Sequence, residues 1–451
     1  MKIAVIGSNM VDLISYINKM PVAGETVEAP NFSIGCGGKG ANQAVAAAKY
    51  GADVLMMTKV GDDIFADNTI KNFDKLGIDT KYVEKVKGLS SGVAPIFVDE
   101  SGQNRIIIVK GANKYLLPSD IDRASEDKVI LSNEYFNIKI FKYPSGIEGL
   151  TLENKKGYIT LLPYMGQIIW DAKFNGIDLT MKNMFNQPKK AKCIVDTYGC
   201  FAFHSGLLSN GCPSPEDTHP MHGEFSCADM DKVWIEINNN EVTIVSEYEY
   251  CQGFGYHYIA QPSITLKADE TCFNINMKVK NLTSIEMPLQ YMCHMNYAYV
   301  ENGEISSNIP DSAFKLRETI PAHVKPTKKW IEYNNRIKEM QKNNKTLTKL
   351  EQADMYDPEI VFMADDIYKY GEKAVFEIDS PKGYGFKTEF STKDFTSATR
   401  WILYNGDQQV SAFVLPATCR PEGFLSAKKA NTLVMVQPNE EKEFSVLTGL
   451  K

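Results

Sequence analysis

The sequence predicts two domains of different class, an α/β domain at the N-terminus and a larger all-β domain after it. Three observations lead there. At 451 residues the chain exceeds what one hydrophobic core usually organises. Up to about residue 123, short apolar strands alternate with a glycine-rich turn and an alanine-rich helix. Beyond Ala124, short runs of alternating apolar and polar residues are broken by Gly, Asn, Asp or Pro, and all four tryptophans (Trp170, Trp234, Trp330, Trp401) lie there.

Composition narrows the function classes. Hydrophobic residues at 43% and charged residues at 23% fit a soluble globular protein. The first 123 residues hold 14 basic and 14 acidic side chains, so the net charge of −7 is carried by the remainder. Without a long basic run, neither nucleic acid nor an anionic membrane surface is an expected partner. Nine cysteines with no CxxC pair and an odd count imply reduced thiols and a cytoplasmic setting. The opening MKIAVIGSNM lacks the apolar core and cleavage site of a signal peptide. No apolar run of about 18 residues is present, so no membrane span is expected.

In the first domain Lys2–Ile6 is a β-branched run ending at Gly7, an opening strand of an α/β sheet. Asp12–Asn18 and Glu25–Ile34 read as short strands around a Pro/Gly turn. GCGGKGANQAVAAAKYGA then reads as a glycine-rich turn feeding a helix over Lys39–Lys49. Such glycines let the backbone approach a ligand, and the helix start offers unpaired N–H groups. Val54–Lys59 is a nearly continuous apolar run, as in a parallel strand buried on both faces.

The longer pattern is more specific. GSNMVDL, GETVEAPNFSIGCGGKGANQAVAAAKYGADV, KVGDDIFAD, LGIDT, SSGVAPIFVDESGQNRIIIVKGAN and LLPSDI, in this order, resemble ribokinase-like sugar kinases. The resemblance covers residues 1 to about 123. It implies that Asp12 and the turn of Gly37, Gly38, Lys39 and Asn42 descend from a site for sugar hydroxyls. Met10 stands where the family usually has asparagine, and a thioether cannot replace the bonds of an amide. The family's second half carries a nucleotide site and an Asp-Thr-x-Gly-Ala-Gly-Asp motif with the catalytic base. Residues 124–451 contain no such sequence. The resemblance therefore implies a truncated ribokinase-like domain, inactive as a kinase on its own. Members of the family often dimerise through the small lid sheet, here about Asp12–Ile34 and Val93–Val109, so residues 1–123 are expected either to form a homodimer through it, the first choice, or to pack against the β-domain.

The second domain, 127–451, is expected to be a β-sandwich. NNNE between two strand runs reads as a hairpin turn. The charged stretch of about 326–356 reads as a helical insertion, with Trp330, Ile331, Ile337 and Met340 able to share one face. Within the sandwich, FHSGLLSNGCPSPEDTHPMHGEF holds three of the six histidines, His204, His219 and His222, among loop-forming residues. All six lie between His204 and His323, which puts acid–base chemistry in this half. His219 and His222 have the HxxH spacing of a metal pair, yet no third ligand sits at suitable spacing, and no metal or other cofactor is expected.

HPMHGEF, CHMNYA and LPATCRPEGF, in this order and each at a strand end, resemble aldose 1-epimerases, the galactose mutarotase-like proteins. The resemblance covers about Asp127–Lys451 and implies a galactose mutarotase-like supersandwich. Interconverting the anomers of a reducing sugar needs a base for the C1 hydroxyl and an acid for the ring oxygen, and a carboxylate with an imidazole can supply both. By resemblance Glu422 is the base, His294 the acid, and His222 a second histidine on the sugar. His204, Arg400 and Trp401 are further candidates for substrate contact. Taken alone, Glu422 could equally be a turn residue paired with Arg420, and His294 a core histidine. Family members also have Asn-His-x-Tyr-Phe-Asn where this chain has CHMNYA. The expectation is an isomerase of a small-molecule sugar, with a kinase-derived accessory half. A non-catalytic carbohydrate-binding protein and half of a split sugar kinase are the alternatives.

Overall fold

The computed structural model describes residues 2–116, 128–238, 240–321 and 324–451. The chain divides into two compact units, Met1–Glu126 and Asp127–Lys451. Most of the LLPSDI motif, Asn239 of the expected hairpin turn, and His323 lie outside the described residues. No helix among the described residues is long and apolar enough to cross a membrane.

The first unit holds two sheets. Strands β1 (Lys2–Ile6), β4 (Asp53–Val60) and β5 (Asp79–Lys85) form a parallel sheet in the order β1-β4-β5. The central β4 is buried along most of its length, as its apolar run requires. Strands β2 (Met10–Tyr16), β3 (Asn31–Gly37), β6 (Val93–Val98) and β7 (Asn104–Ile106) form a second sheet in the order β3-β2-β6-β7. The strand expected over Glu25–Ile34 begins only at Asn31, opposite Tyr16. Pro30 has no N–H to give a ladder, so pairing starts after it. Helix α1 (Lys39–Lys49) follows β3 directly and packs Ala41 and Ala44 onto Val5, Val54 and Met56. Helix α2 (Ile64–Lys75) is capped by Asp63, whose carboxylate accepts from the Ala66 N–H at 3.0 Å.

The second unit is two stacked sheets, thirteen strands in one and eight in the other among the described residues. Val242, Ile244, Ile264 and Phe273 of the smaller sheet meet Leu152, Ile159, Phe174 and Phe413 of the larger in one continuous core. Along His257–Lys267 alternate residues are buried, so strict alternation in sequence becomes one wet and one dry face. Lys232–Asn238 and Glu241–Cys251 pair antiparallel, with Asn238 opposite Glu241.

A helix spans Lys328–Lys342, with Thr327 as its cap. Its buried face is Tyr333, Asn334 and Ile337, whereas Ile331 is exposed, contrary to the face read from apolar spacing. Trp330 explains the rotation: its indole N–H donates to the Glu359 carbonyl at 2.6 Å, which turns Ile331 outward.

Candidate active site

The central strands of the larger sheet position the site on the face turned away from the smaller sheet. Ala202–Leu207 pairs antiparallel with Met287–Met295, placing Phe203 opposite His294 and His204 opposite Cys293. Directly opposed residues share a face. Phe203 and His294 therefore stack on the outer face, ring centroids 4.5 Å apart, while His204 points into the core. His222 enters from the loop beyond, at a φ of 63°, and meets the His294 ring edge-on with centroids 5.0 Å apart. Trp401 completes the cluster, edge-on to His294 at 5.7 Å and to Tyr198 at 6.1 Å.

Tyr198, His222, His294 and Trp401 line a cavity of about 400 Å³, a size suited to a monosaccharide. Its walls also carry Met292, Val361, Leu403 and Leu415, with Arg317, Glu359 and Thr399 as polar groups. A larger hollow of about 610 Å³ lies over Tyr158, Trp170 and Asp171 but holds no histidine. The smaller cavity is the one that brings imidazoles, the groups that exchange protons most easily near neutral pH, to its wall.

Hydrogen bonds orient both imidazoles. The Ser205 hydroxyl donates to Asn210 Oδ1 at 2.5 Å, so it accepts from His222 Nδ1–H at 3.0 Å. His222 is thereby held with Nε2 as the acceptor nitrogen. The Tyr198 hydroxyl donates to Asn296 Oδ1 at 3.3 Å and lies 3.5 Å from His294 Nε2. Asn296 is itself anchored on the Cys200 carbonyl at 3.0 Å. Burial, reinforced by the neighbouring His222, holds the His294 imidazole well below the usual histidine range, so it rests neutral.

Two carboxylates stand near. Glu359 lines the cavity, accepting from the Trp401 indole N–H at 2.8 Å and pairing with Arg317 Nη2. Glu422 is not among the lining residues itself but follows Pro421, which is, and its backbone bridges to Gly211. Its carboxylate accepts from the Thr319 hydroxyl at 2.8 Å, with Arg420 Nη1 3.8 Å away. Arg420 instead grips Asp365, from Nε at 3.1 and 3.0 Å and from Nη2 at 2.6 Å. Cys212, in the cavity wall, registers both carboxylates: burial first, then Glu359, pushes its thiol up to about 11, with Glu422 adding to the rise.

Two of the sequence candidates lie elsewhere. His204 is buried against Phe225 and Tyr291, with Nδ1 2.8 Å from the Tyr291 hydroxyl, and burial pushes its imidazole down to about 3. Arg400 faces the opposite side of its strand from Thr399 and Trp401. It donates to the Leu347 carbonyl at 2.6 Å and lies over the Phe314 ring at 4.7 Å. Strand alternation is the physical reason in both cases. His219 also stays outside the cavity, with Nε2 accepting from the Phe424 N–H at 3.3 Å. Among the described residues no group of three or more His, Cys, Asp or Glu side chains is placed to hold a metal ion.

The sequence reading missed Tyr198, Arg317, Glu359 and Thr399. None stands in a motif, and strands distant in sequence bring them together. The one local signal is at Glu359, an acid directly before the apolar run Ile360–Ala364.

In the first unit Asp12 of β2 packs so tightly on the end of β3 that a Cβ on Gly37 would fall 2.2 Å from its Oδ2. Gly38, at a φ of 100°, turns the chain into α1, and Lys39 and Asn42 lie exposed on the helix's first turn. Burial raises the Asp12 carboxyl above its usual range. Met10 places its sulfur 3.7 Å from the Asn113 amide nitrogen.

Comparison with known proteins finds different relatives for the two parts of the chain. Residues 1–142 match the model of the pfkB family of carbohydrate kinases. The chain is 72% identical over 127 residues to the deoxyribokinase of Salmonella typhi, spanning 28% of this chain and 42% of that protein. It is 38% identical over 160 residues to the ribokinase of Mus musculus, spanning 35% of this chain and 49% of that one. The N-terminal unit is a ribokinase-like domain. The chain spans less than half the length of these two curated relatives. The family match runs to residue 142, past the start of the second unit, into strands Lys128–Ser132 and Asn137–Lys142 of the larger sheet.

The remainder shares its fold with a Klebsiella pneumoniae protein described as a candidate aldose 1-epimerase. The TM-score is 0.56 at 13% identity, covering 71% of this chain and 84% of that one. The chain thus joins a ribokinase-like domain to an all-β sandwich of aldose 1-epimerase fold.

Proposed function

We propose that the second unit is an aldose 1-epimerase-type isomerase, with His294 and Glu422 as its acid–base pair and His222 and Trp401 as sugar contacts. The observation that carries this is the meeting of His222 and His294, ring edge to ring face, in a monosaccharide-sized cavity with Glu359 in its wall and Glu422 next to the lining residue Pro421. A binding site has no need of that many proton carriers.

In this reading Glu422 accepts the proton of the C1 hydroxyl while an imidazole gives one to the ring oxygen. The C1–O5 bond then breaks to leave the open-chain aldehyde, and attack on its other face returns both protons. Glu359 suits a different task. Both its oxygens already accept from Trp401 and Arg317, which leaves it as an acceptor for sugar hydroxyls rather than as the base. Because His294 rests neutral, its charged form is scarce at neutral pH, so the proton for the ring oxygen must be drawn onto it when substrate binds.

The deoxyribokinase likeness of the first unit supports a deoxypentose such as deoxyribose as the sugar. The apolar wall of Met292, Val361, Leu403 and Leu415 suits a ring that carries a methylene in place of one hydroxyl. In the same reading the first unit does not act as a sugar kinase by itself, because residues 124–451 carry no phosphate-cradling motif with its base. The test is anomer exchange by NMR on deoxyribose, ribose, glucose and galactose, with deoxyribose expected to exchange fastest. An unchanged exchange rate for every aldose would sink the reading.

A further inference from the structure

We propose that Thr399 is a substrate-contact residue, its hydroxyl bonding one hydroxyl of the sugar and so deciding which aldoses the cavity accepts. The inference rests on the epimerase reading above and adds to it a specificity contact.

Thr399 lines the cavity and is 2% exposed. Its Oγ1 has no hydrogen-bond partner among the described residues. A buried hydroxyl left unpaired is costly, and valine has the same shape without that cost. Around the cavity Glu359 already has Trp401 and Arg317 as partners, the Tyr198 hydroxyl has Asn296 and His222 has Ser205, whereas His294 Nδ1, like the Thr399 hydroxyl, has none among the described residues. Thr399 retains both its donor and its acceptor capacity, which is what a sugar hydroxyl requires of a partner.

The strand around it is shaped to the same end. Ser397–Tyr404 pairs regularly with Ile360–Ala364, Thr399 opposite Met363 and Trp401 opposite Val361. Against Gln409–Ala417 the register shifts between Thr399 and Trp401. A bulge of this kind re-aims side chains and is over-represented beside active sites. It lies between the hydroxyl and the indole that both line this cavity. Met292, Val361 and Leu415 supply apolar walls, so a single hydroxyl among them orients the ring strongly.

Thr399→Val removes the hydroxyl at constant volume, and Thr399→Ser keeps it. Exchange kinetics are measured on deoxyribose, ribose and their mono-deoxy analogues with the full chain. Thr399→Val is expected to lose about tenfold in kcat/KM, chiefly through KM, on sugars carrying the contacted hydroxyl, and nothing on the one analogue lacking it. Thr399→Ser is expected to stay within about threefold of wild type. Equal rates for Thr399→Val and wild type on every sugar would overturn the assignment, as would an equal loss on every analogue. If the wild type binds sugar without exchanging it, the same panel read by calorimetric affinity keeps the contact and removes the epimerase. Binding to no aldose overturns both.

Discussion

Replacing His204 with asparagine tests whether this histidine belongs to the core rather than to the sugar site. Burial lowers its imidazole from 6.5 to about 3, so the folded protein holds it neutral across the mildly acidic range. The unfolded chain takes up a proton there. Its contribution to stability is therefore complete above about pH 6.5 and is lost progressively as pH falls towards about 3. Between about pH 7.5 and about pH 5 a single group of this kind removes about 2 kcal/mol, at about 1.4 kcal/mol per unit below its unfolded value. Asparagine can still offer a polar partner to the Tyr291 hydroxyl, which lies 2.8 Å from His204 Nδ1. Urea unfolding followed by tryptophan fluorescence reads the second unit selectively, because all four tryptophans lie within it. His204→Asn is expected to lower stability at both pH values but to lose about 2 kcal/mol less than wild type on acidification. An identical pH dependence in the two proteins would refute the buried, neutral assignment.

Glu422→Gln is expected to slow anomer exchange about a hundredfold with sugar affinity retained, whereas Glu359→Gln should chiefly raise KM. The reverse pattern, read from the same exchange kinetics, would make Glu359 the base. No sugar-dependent ATP hydrolysis and no ATP-induced thermal shift are expected of the purified chain, and a phosphosugar product formed from ATP would contradict this. The lid sheet of the first unit exposes Phe32, Ile34 and Ile106, and the adjoining Ile107 and Ile108 are exposed as well. We propose a homodimer through this sheet, so light scattering should report twice the chain mass, and a stable monomer at high concentration would count against it.

The two fold classes were legible along the chain because each leaves a local period. The apolar run of β4 and the alanines of α1 announce a buried parallel strand and its covering helix. Alternation through His257–Lys267 announces a sheet with one wet face. The motifs around His222, His294 and Glu422 were visible for the same reason, as short stretches carrying proton-transfer groups. Which groups face the cavity was not a local property. His204 and Phe203 are neighbours, yet the antiparallel register sends one into the core and the other against His294. Arg400, between Thr399 and Trp401, turns to Leu347 for the same reason. Apolar spacing misassigned Ile331 because the Trp330 indole is tied to Glu359, about thirty residues further on. Tyr198, Arg317, Glu359 and Thr399 reach one cavity only through strand pairings that join residues far apart in sequence. Residue periodicity determined the elements and their dry faces, and the register between strands, a tertiary quantity, decided which side chains share the site.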